Sequence, residues 1–453
     1  MSVTLDLVRA CRRFYATGVC DAALAQARRC VFDGLAVALA AAGDEAITIL
    51  TRVTVPFGSP GTTSVLGGGM LPEEAAVRVN ATMTALLLFD DNSGPMWGHP
   101  TAPLMPAVFA IAESVDASVT EALQVFVVGY EVECRLGRVL NPSAYEAGWH
   151  ATNTQGTIGA VIACALLLQL DETATCMAIG IAASLAGGLR RNFGSMTMSL
   201  NCGEAAANAV RAARLAQAGF TAHPDIFGQP NSYGEALSRE WIEAAFVSMI
   251  AGIGAPPVIV DPGPILKLYP CGQPTLYGVD CALALMRDHG VTAEDIVEME
   301  FRVSYILPRT LIHTRPTNAM QAKPSMHYCV AATFVDDGPK LSSFTDAAVM
   351  RPEIRRLLDC SRFVVRPEYQ EHMPGVRERA LELPVTVWVR LRTGREAQVT
   401  MHHHRGMPQN PATEEDQMAK FTMCAQGRAA AHDVLAMLNR PGAAMCELLG
   451  LVR

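Results

Sequence analysis

From residue 1 to about 255 the chain repeats one pattern: apolar side chains recur every three or four positions, with short polar breaks between the runs. That spacing gathers the apolar groups on one face of a helix, and it predicts helices over 22–41, 72–89, 102–115, 119–140, 157–168 and 203–218. Gly, Pro, Asn and Asp collect at the breaks, as at 57–61 and 92–100. Asp116, Ser118 and Thr120 precede an apolar run that contains Glu121, which marks a helix start. The pattern changes across 252–264, a stretch rich in Gly and Pro, and a domain boundary is expected there. Beyond it, residues 296–303 alternate apolar and polar side chains with the period of a strand. Residues 362–365 and 384–391 also read as strands. The second of these runs into a turn at Thr393-Gly394 and a further strand at 397–402, so the pair predicts a hairpin. Residues 275–286 read as a helix of this second part. Helical spacing returns over 414–438, in helices expected to pack back on the first domain. The predicted fold is mainly α with a smaller α+β domain. A large all-helical domain (1–258) is followed by an inserted α+β lid (259–405), and C-terminal helices (406–453) return to the helical domain.

Half of the 453 residues are hydrophobic, enough for one large core or two ordinary ones. The net charge of -8 does not suit a nucleic-acid partner, which requires a basic face. An anionic ligand would have to be drawn in by a local basic cluster. The most apolar stretch, 157–170, is about 14 residues long, which fits a buried helix and falls short of the roughly 20 residues of a membrane span. Residues 1–7 include an acid and no long apolar run, unlike a signal peptide, so a cytoplasmic protein with no membrane partner is expected. The thirteen cysteines lack paired metal spacing and read as reduced, buried, small hydrophobes.

Four segments carry candidate chemistry. Phe89-Asp90-Asp91-Asn92 and Gly98-His99-Pro100 join two apolar runs. Carboxylates and an imidazole this close can hold a proton-transfer network, although Asp and Asn also simply end helices. Tyr145-Glu146-Ala147-Gly148-Trp149-His150 precedes a polar, Gly-containing helix start, where free N–H groups favour a carboxylate and a His serves as base. The bland reading is a buried, hydrogen-bonded His. Arg190-Arg191 beside Asn192-Phe193-Gly194-Ser195 offers guanidinium forks for carboxylates, or is a solvated surface pair. Lys267 with Cys271-Gly272, and Lys323 ahead of Ser325, place cations next to apolar helices, or are surface charges beside a structural Cys. His402-His403-His404 does not suit one metal ion, because neighbours on a strand face opposite ways, and no metal site is expected. No Walker loop, dinucleotide fingerprint or Gly-x-Ser-x-Gly elbow is present.

Taken in order, these segments resemble the MmgE/PrpD family. The resemblance rests on Phe89-Asp90-Asp91 with His99-Pro100, Gly129-Tyr130-Glu131-Val132, Gly148-Trp149-His150, Asn192-Phe193-Gly194-Ser195-Met196-Thr197, Ala205-Ala206-Ala207-Asn208, Tyr269-Pro270-Cys271 and Ala322-Lys323 with Tyr328-Cys329-Val330. It covers almost the whole chain. It implies a helical domain, a smaller lid domain, a pocket between them, a homodimer, a small polycarboxylate substrate and no cofactor. By position, Asp91 (or Asp90), His99 and His150 match pocket residues, and Lys323 matches a lid residue near it. Two departures stand out: Met198 and Asn201 occupy positions where the family often has Lys and His, and Gly272 replaces a lid His.

The chemistry shared by the family is removal of a proton beside a carboxylate. On this reading His150 is a base, Tyr145 or Asp91 is the group across from it, and His99 orients the substrate or relays a proton. Arg190, Arg191 and Lys323 are expected to hold carboxylates, with Asp90, Asn92, Met198, Lys267, Cys271 and Gly272 also contributing to the binding site. The reduced set of acids leans toward epimerisation of an iminodisuccinate-like dicarboxylate. A dehydratase acting on a 2-methylcitrate-like acid, a cis-aconitate-like decarboxylase and a non-catalytic polycarboxylate binder stand as alternatives.

Overall fold

The computed structural model describes residues 2–55 and 59–453. Phe57 and Gly58, in the break expected at 57–61, lie outside the described residues. The predicted helices form, and their ends show what stops each one. Val119–Leu140 starts at Ser118, whose side chain accepts from the Glu121 N–H while Glu121 reaches back to the Ser118 N–H. Glu73–Leu86 ends where Leu88 turns to a positive φ of 51°. Ala151–Leu167 and Met196–Gln217 begin six and seven residues before the starts expected at 157 and 203. Their first turns are rich in polar and small residues such as Thr152, Asn153, Ser199 and Asn201, so apolar periodicity does not register there. The run expected over 414–438 is two helices, Glu414–Ala425 and Ala431–Asn439, broken at the left-handed residues Gln426 and Gly427.

Helices Thr101–Ser114 and Ala151–Leu167 are buried almost all round, as their lack of a polar face requires. Ala151–Leu167 lies directly against Val119–Leu140 because both carry glycine at the crossing. A Cβ on Gly159 would sit 2.5 Å from the Gly129 carbonyl oxygen.

A two-stranded ribbon, β1 (Thr63–Ser64) and β2 (Met70–Leu71), lies in the helical part. The second part holds a four-stranded sheet: β3 (Ile296–Val303), β4 (Ser361–Val365), β5 (Val385–Leu391) and β6 (Glu396–Met401), in the order β4-β3-β5-β6. β3 pairs parallel with β4, while β3–β5 and β5–β6 are antiparallel, with Val387 opposite Val399. Gly394, at φ +86°, makes the hairpin turn. One sheet face packs on helices Leu276–His289 and Met326–Asp336.

The buried apolar residues form two large clusters. One draws on residues from Val3 to Leu266 and again from Ala412 to Val452; the other runs from Ile265 to Met407. The C-terminal helices therefore share the first core, where Phe421 stacks on Phe32 at 4.4 Å between ring centroids. Beside that stack, Lys420 pairs with Asp33 at 2.7 Å. It also donates to the carbonyls of Phe89, at 2.6 Å, and Lys267, at 2.9 Å. One buried ammonium thus ties a C-terminal helix to the loop after Glu73–Leu86 and to the segment that leads into the second domain. No single helix among the described residues is long and apolar enough to cross a membrane. All thirteen cysteines are free, and most are buried.

Candidate active site

Three loops of the helical part meet four segments of the α+β part around a partly enclosed cavity, and a crevice between two domains is a common place for a small molecule.

The first loop follows helix Glu73–Leu86. Asn92 exchanges backbone hydrogen bonds with Ile265, at 2.9 and 2.8 Å, which fixes the loop to the junction between the two cores. His99 donates its backbone N–H to Thr152 Oγ1 at 3.1 Å. Its ring lines the cavity with Nδ1 standing 3.0 Å from Asp90 Oδ2, an ion-pair contact rather than an aligned hydrogen bond. A carboxylate there favours a proton on Nδ1, and Nε2 stands 3.5 Å from Asn92 Nδ2. Asp90 is fully buried, and Lys267 Nζ lies 3.8 Å from its other oxygen. Burial raises the Asp90 pKa, but His99 and Lys267 outweigh it and hold the carboxyl below its usual range.

The second and third loops are pinned to each other. His150 donates its backbone N–H to Gly188 O, and Arg190 donates to Gly148 O, both at 3.0 Å. Gly148 and Gly188 adopt positive φ, and a Cβ on Gly188 would lie 3.1 Å from both Asn153 and Asn201. Asn153 donates to Asn201 O at 2.7 Å and accepts from Gly187 N at 2.8 Å, locking together the starts of Ala151–Leu167 and Met196–Gln217. His150 precedes the first of these helices and lines the cavity. Asn201 Nδ2 stands 3.1 Å from His150 Nδ1 and donates to it, so the proton of the neutral ring sits on Nε2. Burial, then the positive charges of His99 and Arg190, pull the His150 pKa down to about 3. The ring is neutral at physiological pH. Tyr145 lines the same wall, edge-on to Trp97. Ser199, on the first turn of Met196–Gln217, also lines the cavity, and its buried hydroxyl has no partner in the protein.

The second domain supplies Gly272, Gln273, Thr310, Leu311, Pro324 and Leu381 among its lining residues. His404, buried behind Gln273, has Nδ1 2.7 Å from the Arg405 carbonyl, so Nδ1 carries the proton. Its Nε2 then accepts from the Gln273 amide nitrogen at 3.0 Å, which sets the orientation of that side chain.

Of the residues expected at the site, His99, His150, Tyr145, Asn92, Met198 and Gly272 line the cavity. The others do not. Asp91 turns into the helical core, where Oδ1 accepts from Thr101 N at 3.2 Å. Burial, with Asp90 and Asp33 nearby, raises its pKa to about 7. It cannot face a substrate from there. Asp90 acts through His99. Arg191 is exposed outside the cavity. Arg190 lies 3.5 Å over the Tyr145 ring and donates to Tyr145 O at 2.6 Å and to Thr310 Oγ1 at 3.2 Å. Lys267 donates to Leu88 O and Lys323 to Leu86 O, both at 3.1 Å, so each caps the end of helix Glu73–Leu86. Cys271 is buried, accepting from Thr275 Oγ1 at 3.2 Å. Arg190, Lys267 and Lys323 share one reason: each cation already donates to a backbone carbonyl of the protein. Sequence reasoning also missed Gln273, Thr310, Leu311 and Leu381. Gln273 adjoins the Cys271-Gly272 motif and was within reach, whereas nothing in the local pattern marks Leu381.

Residues 6–242 match the MmgE/PrpD N-terminal domain and residues 269–438 the MmgE/PrpD C-terminal domain. The chain belongs to the MmgE/PrpD family. Among its relatives, the cis-aconitate decarboxylase of Homo sapiens is 25% identical over 418 residues, covering 88% of this chain and 83% of that protein. The cis-aconitate decarboxylase of Mus musculus is 27% identical over 354 residues, covering 75% and 70%. That of Aspergillus terreus is 26% identical over 356 residues, covering 73% and 72%.

Proposed function

We propose that this chain is a lyase that removes CO2 from an unsaturated polycarboxylic acid. The relatives move the reading from the epimerase, toward which the sequence leans, to decarboxylation. The observation that supports it is the Asp90–His99 pair, with the His99 ring lining the cavity beside the uncharged, N–H-bearing ring of His150.

The roles differ from those expected of the sequence. His99 is the proton carrier: ionised Asp90 fixes its orientation and balances positive charge on the ring. His150 is a hydrogen-bond donor through Nε2. When the bond to the departing carboxylate breaks, its electron pair forms a new C=C bond. The displaced π pair takes a proton from His99 at the carbon beside a retained carboxylate. Charge building on that carboxylate is met by His150 Nε2–H, Ser199 Oγ and the first-turn N–H groups of the two helices.

The test is incubation in deuterated water with cis-aconitate, 2-methylcitrate and iminodisuccinate, followed by NMR. CO2 release with one deuterium on carbon is the expected result. Deuterium gain with inversion and no CO2 would make the protein an epimerase, and a new alkene from 2-methylcitrate a dehydratase.

A further inference from the structure

A tricarboxylate brings three negative charges, yet among the described residues that line the cavity there is no Lys or Arg. Three of the cations expected at the site donate to other groups, and Arg190 Nε is left without a partner. Arg190 is held by Tyr145 and Thr310, Lys267 by Leu88 O and Asp90, and Lys323 by Leu86 O. His99 is balanced by Asp90, and His150 is uncharged. What faces the space instead is largely apolar: Leu88, Trp97, Phe193, Met198 and Leu311. Met198 is itself buried, and it sits one residue from Ser199, the unpartnered hydroxyl. A carboxylate set against such a wall would lose its hydration and meet no Lys or Arg side chain lining the space, whereas an alkyl group of similar size gains from the same surface.

Decarboxylation itself needs two carboxylates, one that leaves and one that accepts charge. A third has no part in the chemistry. Resting on the lyase reading above, we infer that the substrate is an unsaturated dicarboxylic acid bearing an uncharged apolar group where cis-aconitate carries its central carboxylate, that is, a 3-alkylpent-2-enedioate. Met198 is the residue that selects for that group. For the 3-methyl compound, the C4–C5 bond breaks and C5 leaves as CO2. Its electron pair forms C3=C4, and the former C2=C3 pair takes one proton at C2. The dianion and a proton become 3-methylbut-3-enoate and CO2, with no oxidant or reductant needed.

The test compares 3-methylpent-2-enedioate with cis-aconitate as substrates for the wild-type chain and for Met198→Lys. The wild type is expected to favour the dicarboxylate in kcat/KM by about tenfold or more, and Met198→Lys to narrow or invert that ratio through a lower KM for cis-aconitate. Faster wild-type turnover of cis-aconitate would overturn the substrate assignment and leave the lyase reading intact. Loss of CO2 from neither acid would overturn the lyase reading. Calorimetry with the unreactive analogues 3-methylglutarate and propane-1,2,3-tricarboxylate then decides the charge preference of the cavity without any turnover and without a variant that must fold. Tighter binding of 3-methylglutarate is expected, and tighter binding of the tricarboxylate would overturn the inference.

Discussion

His99 and Asp90 divide one task between a ring that touches the cavity and a carboxylate that does not. Replacing Asp90 with Asn keeps the shape but removes the charge behind the ring, so kcat should fall by about 10²–10⁴-fold with KM little changed. Steady-state kinetics with an unchanged circular-dichroism spectrum checks this, and a variant with wild-type kcat would remove Asp90 from the mechanism. Its neighbour Asp91 gives a different signal. Its folded pKa of about 7 lies above the ordinary carboxyl value of 3.8. The folded state therefore holds a proton that the unfolded state has released between those two values. The stability this contributes is full below about pH 4 and is lost as pH rises through 7. Asp91→Asn should accordingly gain on the wild type by about 2–3 kcal/mol between pH 5 and pH 8, read by urea unfolding at both. A difference that does not change with pH would rule out the buried, protonated carboxyl. The two adjacent acids were legible in the sequence as a pair, but not which of them faced the site. That choice depends on Thr101 and Lys267, which reach them through the fold.

At the scale of elements, Val119–Leu140 and Ala151–Leu167 owe their contact to Gly129 and Gly159. Gly159→Ala would drive a methyl group against the Gly129 carbonyl and push apart two helices that carry nearly all their side chains in the core. A loss of about 1–3 kcal/mol is expected, measurable as a lower urea midpoint, and an unchanged midpoint would show that the helices can separate freely. Helix existence and strand pairing were readable from period alone: Val119–Leu140 and Ile296–Val303 end where the spacing places them. The starts of Ala151–Leu167 and Met196–Gln217 were not. Their polar first turns, which look like loop in one dimension, are the turns that face the cavity. The period fails where the helix stops serving the core and begins serving the site.

At the scale of the molecule, two cores meet along the cavity, and Lys420 is the buried charge that joins the C-terminal helices to that junction. Lys420→Ala leaves Asp33 buried without its partner and the carbonyls of Phe89 and Lys267 without a donor. A cost of about 3–5 kcal/mol is expected, with a lower kcat because the loop bearing Asp90 loses its support. Thermal unfolding and turnover measured together test this; a variant of normal stability and activity would show that the prop is dispensable. The two-part organisation was visible in the change from helical to strand spacing near 252–264. The cavity's walls were only half visible, because most of the motifs lie on the helical part, while the second part contributes residues such as Thr310 and Leu381 from turns with no pattern of their own.

Lys420 follows Phe89 by 331 residues. During synthesis the loop that carries Asp90 and His99 leaves the ribosome long before the lysine that props it. A nascent chain can hold every residue that touches substrate and still lack the support that sets them, so the site is completed only after the helix Glu414–Ala425 has emerged and docked on the first core.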